Sequence, residues 1–129
     1  MGMIFLVAGR ASGPTLVLDE PLSFWGGVDP ASGLIIDRAH PQAGMTITGR
    51  ILVMQAGRGS SSSSSVLAEC IRAGTGPAGI VLGETDPILA LGALVAAELY
   101  PDRICPVVVA DDYEGARTAR TIDLVPPAA

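Results

Sequence analysis

The chain has 129 residues, of which 49% are hydrophobic and 16% charged, so it is predicted to fold as one domain and not to be disordered. All eight basic residues are arginine, and thirteen acidic residues bring the net charge to −5. Because a protein that follows nucleic-acid phosphates needs a basic surface, nucleic acid is not an expected partner. We expect a single domain over residues 1–125 and a frayed tail over residues 126–129.

The first half of the chain, up to about Arg50, predicts a small β half made of short strands. Extended apolar pieces alternate there with segments rich in Gly and Pro, which favour turns. The predicted strands are residues 4–8, 15–18, 34–37 and 45–48.

The second half, from Ile51 onward, predicts a β-α-β-α-β layer. Residues 51–54 and 80–82 are apolar throughout, which is typical of strands covered on both faces, and residues 106–109 supply a third strand. Right-handed crossovers would place these three strands parallel in one sheet with the helices packed on it. The predicted class is therefore α/β, with a short-strand β half followed by a βαβαβ layer.

Two helices connect the three strands. The first has an apolar stripe and ends at Gly74, a suitable C′ residue; the stripe comprises Val66, Leu67, Cys70 and Ile71. Asp86 is predicted to cap the second helix, with Pro87 at its first position, and this helix runs to about Leu99. Since Glu98 is its only charge, we expect it to be covered on more than one side.

Neither a secretion signal nor a membrane span is predicted. The apolar residues 3–8 follow no basic segment and meet Arg10 at once, unlike a signal peptide. The most apolar stretch, residues 88–97, has about half the length that a bilayer requires. We therefore expect a cytoplasmic protein with no membrane partner.

The cysteines and the single histidine do not have the spacing of a metal site. Cys70, Cys105 and His40 are far apart, so no metal or iron–sulfur site held by this chain alone is expected. Apolar surroundings favour buried free thiols over a disulfide. Asp29 and His40 are interpreted as turn and structural residues.

The serine run at residues 60–65 allows two interpretations. Serine-rich tracts are commonly flexible linkers, but this one lies inside a βαβ unit, between a buried strand and its returning helix. Gly57, Arg58 and Gly59 before it permit a tight turn. Such a turn leaves N–H groups and hydroxyls at the positive end of a helix, which predicts a site for a carboxylate or phosphate.

Known phosphate-binding and hydrolase motifs do not match this turn. Gly59 stands where a Walker loop has Lys, Ser62 stands where a dinucleotide fingerprint has its third Gly, and no G-x-S-x-G occurs. What remains is a serine at a helix N-terminus beside Arg58. Helix dipole and guanidinium together could stabilise an alkoxide, which would allow a serine to act as a base.

Several segments together resemble the small subunit of aconitase X enzymes, over about residues 7–110. They are Gly13-Pro14, PLSFWGGVDP at 21–30, IID at 35–37, His40-Pro41, GRILV at 49–53, GRGSSS at 57–62 and ELY at 98–100. One departure is Gln55, where Pro is expected. The resemblance implies a swivelling β/β/α domain that works with a separate large subunit, which holds an iron–sulfur cluster.

The resemblance also implies roles for the residues of the turn. Ser60 would be the base that removes the substrate proton, with Ser61 and Ser62 as substrate contacts. Arg58 and the loop amides, including that of Gly59, would hold the carboxylate of a small anionic substrate.

Two activities are implied by this subunit type. Arg58 and the unbroken serine run favour dehydration of cis-3-hydroxy-L-proline to Δ1-pyrroline-2-carboxylate over dehydration of phosphomevalonate. A non-catalytic anion-binding module and a purely structural domain are the other hypotheses. Phe24 and Trp25 are as consistent with packing inside the chain as with contact to the large subunit.

Overall fold

A computed structural model describes residues 2–128 of the chain. The strands are β1 Met3–Val7, β2 Ala11–Val17, β3 Val28–Asp29, β4 Leu34–Ile35, β5 Ile51–Met54, β6 Gly79–Leu82, β7 Val107–Ala110 and β8 Thr121–Leu124. The helices are α1 Phe24–Gly27, a single turn, α2 Ser62–Ala73, α3 Pro87–Leu99 and α4 Tyr113–Thr118. Residues 126–128 have no regular secondary structure, and Ala129 of the predicted tail lies outside the described residues.

Six strands form one sheet in the order β1-β7-β6-β5-β2-β8. The strands β2, β5, β6 and β7 run parallel, which confirms the predicted α/β class and its three parallel strands. The outer strands β1 and β8 are antiparallel to their neighbours. The sheet therefore has a parallel centre with an antiparallel strand at each edge.

The short strands of the first half belong to two sheets, and β3 and β4 form a separate two-stranded antiparallel one. β1 pairs with β7 and β2 pairs with β5, so both extend the sheet of the second half. The predicted strand at 45–48 is wrong: only Thr46 forms a bridge, to Leu34. The flanking Gly44 and Gly49 have φ angles of 90° and 70°, which turn the chain at both ends of this segment.

The C-terminal elements α4 and β8 were not predicted. Asp112 caps α4, because its carboxylate accepts a hydrogen bond from the Gly115 N–H at 3.0 Å. The strand β8 then pairs with β2 and closes one edge of the sheet.

The core lies on both faces of the sheet and is aliphatic, as predicted. All residues of β5 and β6 are buried. On one face, Leu52 and Ile80 belong to a cluster that includes the inner sides of α2 and α3. On the other face, Val53 and Val81 pack with residues of α4 and β8. Because β5 and β6 are apolar throughout, both of their faces have to be covered, and these two clusters cover them.

Helix α3 is covered on one side only, unlike the prediction. The buried residues of α3 are Leu89, Gly92, Ala93 and Ala96. Its exposed apolar residues are Leu91, Leu94, Val95 and Leu99. At Gly92 a Cβ would lie 2.6 Å from the Ser64 carbonyl oxygen, so glycine permits the close approach of α2. Among residues 2–128 no helix is long and apolar enough to cross a membrane.

Candidate functional site

The candidate site is the turn between β5 and α2, here called the serine loop (residues 57–62). It begins at the carboxyl end of a parallel strand, the edge of α/β sheets where ligands commonly bind. The Gly57 N–H donates to Asp86 Oδ2 at 2.8 Å, and the Arg58 N–H donates to the Leu22 carbonyl at 3.1 Å. The first two residues of the loop are thus held from two sides.

Gly59 gives the loop its sharp bend. Its φ angle is 104°, a region that L-residues rarely adopt, and a Cβ there would lie 2.7 Å from Ser23 Oγ. Both the backbone angle and the close approach of Ser23 require glycine at this position.

Ser60, Ser61 and Ser62 are all exposed, and α2 begins at Ser62. Ser60 Oγ accepts from the Ser62 N–H at 3.4 Å. Ser61 occupies the N-cap position with helical φ and ψ, and its side chain makes no cap hydrogen bond. The first turn of α2 contains no acidic residue. The N–H groups of Ser63 and Ser64 donate to the carbonyls of Ser60 and Ser61, so the helix start offers an anion its positive dipole end and exposed serine hydroxyls.

The serine run is not a flexible linker. Its last four residues form the first turn of α2, and the preceding two complete the bend from β5. The structure thus agrees with the interpretation of a strand-to-helix turn.

Arg58 lies at the rim of the loop. Its Nη2 is 3.7 Å from Glu20 Oε1, and both side chains are about half exposed. Sequence reasoning missed Glu20, because nothing in the sequence indicates a contact between residues so far apart. An exposed pair of this kind contributes little stability and leaves the guanidinium accessible to solvent.

Ser63 is a second residue that sequence reasoning missed. It is buried, its hydroxyl donates to the Arg58 carbonyl at 3.4 Å, and it accepts from the Trp25 N–H at 3.4 Å. The hydroxyls of Ser23 and Ser63 lie 3.5 Å apart. A signal existed, since Ser63 precedes the buried Leu67 by four residues and lies on the same stripe. Ser63 therefore connects the serine loop to the segment around α1.

The two neighbouring aromatic residues have opposite environments. Phe24 is fully buried in the core, whereas Trp25 is 64% exposed. The interpretation as internal packing is thus confirmed for Phe24, and Trp25 is the residue of the pair that a partner could contact.

The cavity that lies at the serine loop is too small to enclose an organic substrate. The pocket between the loop and Asp86 measures about 40 Å³, roughly the volume of one water molecule. A larger cavity of about 340 Å³ is lined by Gly74 and Arg103, beside the C-terminal end of α2 and so opposite the serine loop. An organic anion at the loop would consequently need a second surface to cover it.

The two thiols do not fit the ligand set of an iron–sulfur cluster. Cys70 and Cys105 are free and buried, as predicted, and burial raises their pKa values to about 11 and about 12. Two cysteines are also fewer than the four that hold iron–sulfur clusters of the common kinds. Within residues 2–128 no three His, Cys, Asp or Glu side chains gather as a metal site.

His40 and Asp29 have structural roles, as predicted. His40 is buried, its Nε2 is 2.9 Å from the Glu20 carbonyl, and its Nδ1 accepts from the Gln42 N–H at 3.0 Å. Asp29 accepts hydrogen bonds from the Ala31 N–H and the Ser32 hydroxyl within one turn.

Fold and site together define a mixed α/β domain that presents a serine-bearing loop at an uncapped helix start. The family model of the aconitase X swivel domain matches residues 2–126. The chain therefore belongs to the aconitase X swivel-domain family, and the resemblance noted in the sequence is confirmed.

Curated relatives include enzymes of two kinds. A cis-3-hydroxy-L-proline dehydratase of Pseudomonas aeruginosa is 57% identical over 95 residues, which are 74% of this chain and 16% of that protein. One of Hypocrea jecorina is 42% identical over 90% of this chain and 20% of that protein. The chain thus spans a fifth or less of these two relatives. A phosphomevalonate dehydratase small subunit of Methanothermobacter thermautotrophicus is 43% identical over 74% of this chain and 72% of that subunit.

Two solved structures share the fold. The holo-form of aconitase X from Thermococcus kodakaraensis superposes with a TM-score of 0.77 and 32% identity, over 92% of this chain and 84% of that one. The solution structure of a UPF0107 protein gives a TM-score of 0.79 and 28% identity, over 96% of this chain and 92% of that one.

Proposed function

We propose that this chain is the small subunit of an aconitase-X-type hydro-lyase that dehydrates cis-3-hydroxy-L-proline to Δ1-pyrroline-2-carboxylate. The observation that carries the proposal is the open serine loop at the start of α2, with three exposed serines beside Arg58. The 57% identity to the dehydratase of Pseudomonas aeruginosa supports the choice of substrate.

In this proposal Ser60 is the base that removes the α-proton of the substrate. A hydroxyl can accept a proton only if its alkoxide is stabilised, and Ser60 lies two residues before the first residue of α2, at the positive end of its dipole. Its Oγ already accepts from the Ser62 N–H, a bond that would strengthen as negative charge develops on the oxygen.

The remaining residues of the loop would bind the substrate. The Arg58 guanidinium, the N–H groups of Gly59 and Ser61 and the exposed hydroxyls of Ser61 and Ser62 are suited to a carboxylate, because they present donors near a helix N-terminus. The ion pair between Arg58 and Glu20 is exposed and therefore screened by solvent. Arg58 would exchange Glu20 for the substrate carboxylate at a low cost in free energy.

A large-subunit partner would complete the site. The relatives named as small subunits support such a partner, and the loop alone encloses too little space for the substrate. Because this chain has two cysteines, both buried, and clusters of the common kinds are held by four, we assign the iron–sulfur cluster to the large subunit. A cluster at that position would supply Lewis acidity toward the leaving hydroxyl.

The test is Ser60→Ala in the enzyme assembled from both subunits, with cis-3-hydroxy-L-proline as substrate. Turnover should fall by about 10²-fold or more, as expected for loss of a general base, while assembly is retained. Ser65→Ala is the matched control, because Ser65 belongs to the same serine run but is exposed on α2, outside the serine loop. Near-normal kcat for Ser60→Ala would refute the assignment.

Phosphomevalonate is the second candidate substrate. It is favoured by the match to 72% of the Methanothermobacter subunit, a closer agreement in length than with the longer dehydratases. Assaying the assembled pair with both compounds decides between them. Binding of substrate by this chain alone, with no turnover in any assembly, would instead indicate an anion-binding module.

A further inference from the structure

We propose that Asp86 is a positioning residue for the serine loop and that its single carboxylate holds both the start of α3 and this loop. Asp86 is the N-cap residue of α3, outside the loop, and accepts a hydrogen bond from the backbone of Gly57. It has this role in catalysis only if Ser60 is the base, as proposed above.

The two carboxylate oxygens of Asp86 have separate partners. Oδ1 accepts from the N–H groups of Ile88 and Leu89 at 3.0 and 3.2 Å, which caps α3. Oδ2 accepts from the Gly57 N–H at 2.8 Å, the shortest of the three bonds. A single side chain therefore ties the start of α3 to the start of the loop that leads into α2.

Glycine at position 57 is what permits this contact. A Cβ there would lie 2.8 Å from Asp86 Oδ2 and 3.0 Å from Leu89 Cδ1. The backbone of the loop is thus pressed against the carboxylate and the first turn of α3, both of which belong to a helix packed on the core.

The hydrogen bond from the Gly57 N–H to Asp86, here called the anchor, lies close to the proposed base in the chain. Gly57 lies three residues before Ser60, and the next residue, Arg58, is held on its other side by Leu22. Beyond that point Ser60, Ser61 and Ser62 are exposed. Because a shift of about 1 Å in a reacting group can cost 10²-fold in rate, the anchor at Gly57 sets the precision with which Ser60 is presented.

The variant Asp86→Asn tests whether the two carboxylate oxygens of Asp86 have separate roles. An asparagine offers one acceptor oxygen and one NH2 group, and we expect the oxygen to keep the two cap bonds of α3, so that the NH2 group faces the Gly57 N–H and that bond is lost. The matched control is Asp112→Asn, which alters the cap of α4; in the described chain no hydrogen bond joins Asp112 to residues 57–62.

Two measurements are needed. In the assembled enzyme, kcat per complex should fall by about 10²-fold for Asp86→Asn and stay within about twofold of wild type for Asp112→Asn. In the ¹⁵N-labelled full chain, the Gly57 amide proton should move upfield in Asp86→Asn, with changes through residue 61, and should not move in Asp112→Asn. A merely structural role would lower stability and leave both kcat per complex and this amide unchanged.

The outcomes separate the two proposals. An Asp86→Asn enzyme with wild-type kcat, or an unmoved Gly57 amide, overturns the role of Asp86. If Ser60→Ala keeps its turnover, the base assignment fails instead, and the Gly57 amide still reports whether Asp86 anchors the loop.

Discussion

The turns that lead into α2 and α3 leave neighbouring parallel strands at the same edge of the sheet, yet their helix starts are completed differently. At α3 the extended Asp86 bonds two N–H groups and Pro87 occupies the first helical position. At α2 the N-cap Ser61 is already helical and its hydroxyl caps nothing. One helix start is capped by a carboxylate, whereas the first N–H groups of the other donate to the Ser60 hydroxyl and to backbone carbonyls.

The comparison indicates that the capped turn before α3 stabilises the serine loop before α2. The start of α2 has no carboxylate cap, and its first three N–H groups donate instead to Ser60 Oγ at 3.4 Å and to the carbonyls of Ser60 and Ser61. The capped neighbour compensates through the bond from the Gly57 N–H to Asp86. The serine loop can thus combine exposed hydroxyl groups with a fixed backbone at Gly57.

The largest expected effect comes from Gly59→Ala, which would break the open turn. A φ angle of 104° and a Cβ 2.7 Å from Ser23 Oγ predict a loss of stability of about 1–3 kcal/mol, together with loss of turnover. Gly44→Ala is the control, since Gly44 has a φ of 90° with nothing within 4 Å of its Cβ. Equal urea midpoints and activities for the two variants would contradict the close packing described for Gly59.

Removing the caps tests the comparison directly. Asp86→Ala should lower the free energy of unfolding by about 2 kcal/mol, because it removes a cap and the partner of the Gly57 N–H. Ser61→Ala should change it by less than about 0.5 kcal/mol, since that hydroxyl makes no cap bond. Urea denaturation of both variants decides; similar losses would show that the two helix starts are equally capped.

Ser63→Ala should have a smaller effect. The Trp25 N–H would lose its acceptor, at a cost of about 1 kcal/mol, and the emission of Trp25 should change with it. Ser65→Ala, on the exposed side of α2, should alter neither quantity. Unchanged stability and emission in Ser63→Ala would disprove the connection between α1 and the serine loop.

The smallest effect is expected from Glu20→Gln. The pair with Arg58 is about half exposed, so stability should change by less than about 0.5 kcal/mol. Because Arg58 is then free for the substrate carboxylate, KM of the assembled enzyme should fall, by about twofold at most. A rise in KM would mean that Glu20 orients Arg58 instead of competing for it.

Elements governed by local rules could be predicted from the sequence. The apolar runs of β5 and β6, the Asp86-Pro87 start of α3 and the left-handed Gly74 all depend on residues a few positions apart. The pairing of β1 and β2 with the second half could not be predicted, because period and turn residues do not specify which strands become neighbours. The same holds for α4 and β8.

The features of the candidate site also divide into those that depend on nearby residues and those that depend on long-range contacts. The turn with Gly59 and the exposed serines was recognisable from their order along the chain. The contacts of Ser63 with Trp25 and of Arg58 with Glu20 were not, because each joins segments that only the folded chain brings together. The Gly57 contact with Asp86 belongs to this second group.

The burial of both cysteines has a practical consequence for chemical labelling. Cys70 and Cys105 are inaccessible, and their raised pKa values leave almost no thiolate at neutral pH, so maleimide reagents should spare them. The sequence also has no lysine side chain to compete for amine-directed probes. A single cysteine introduced at an exposed position of α3 would therefore carry a dye without background from the two native thiols of this chain.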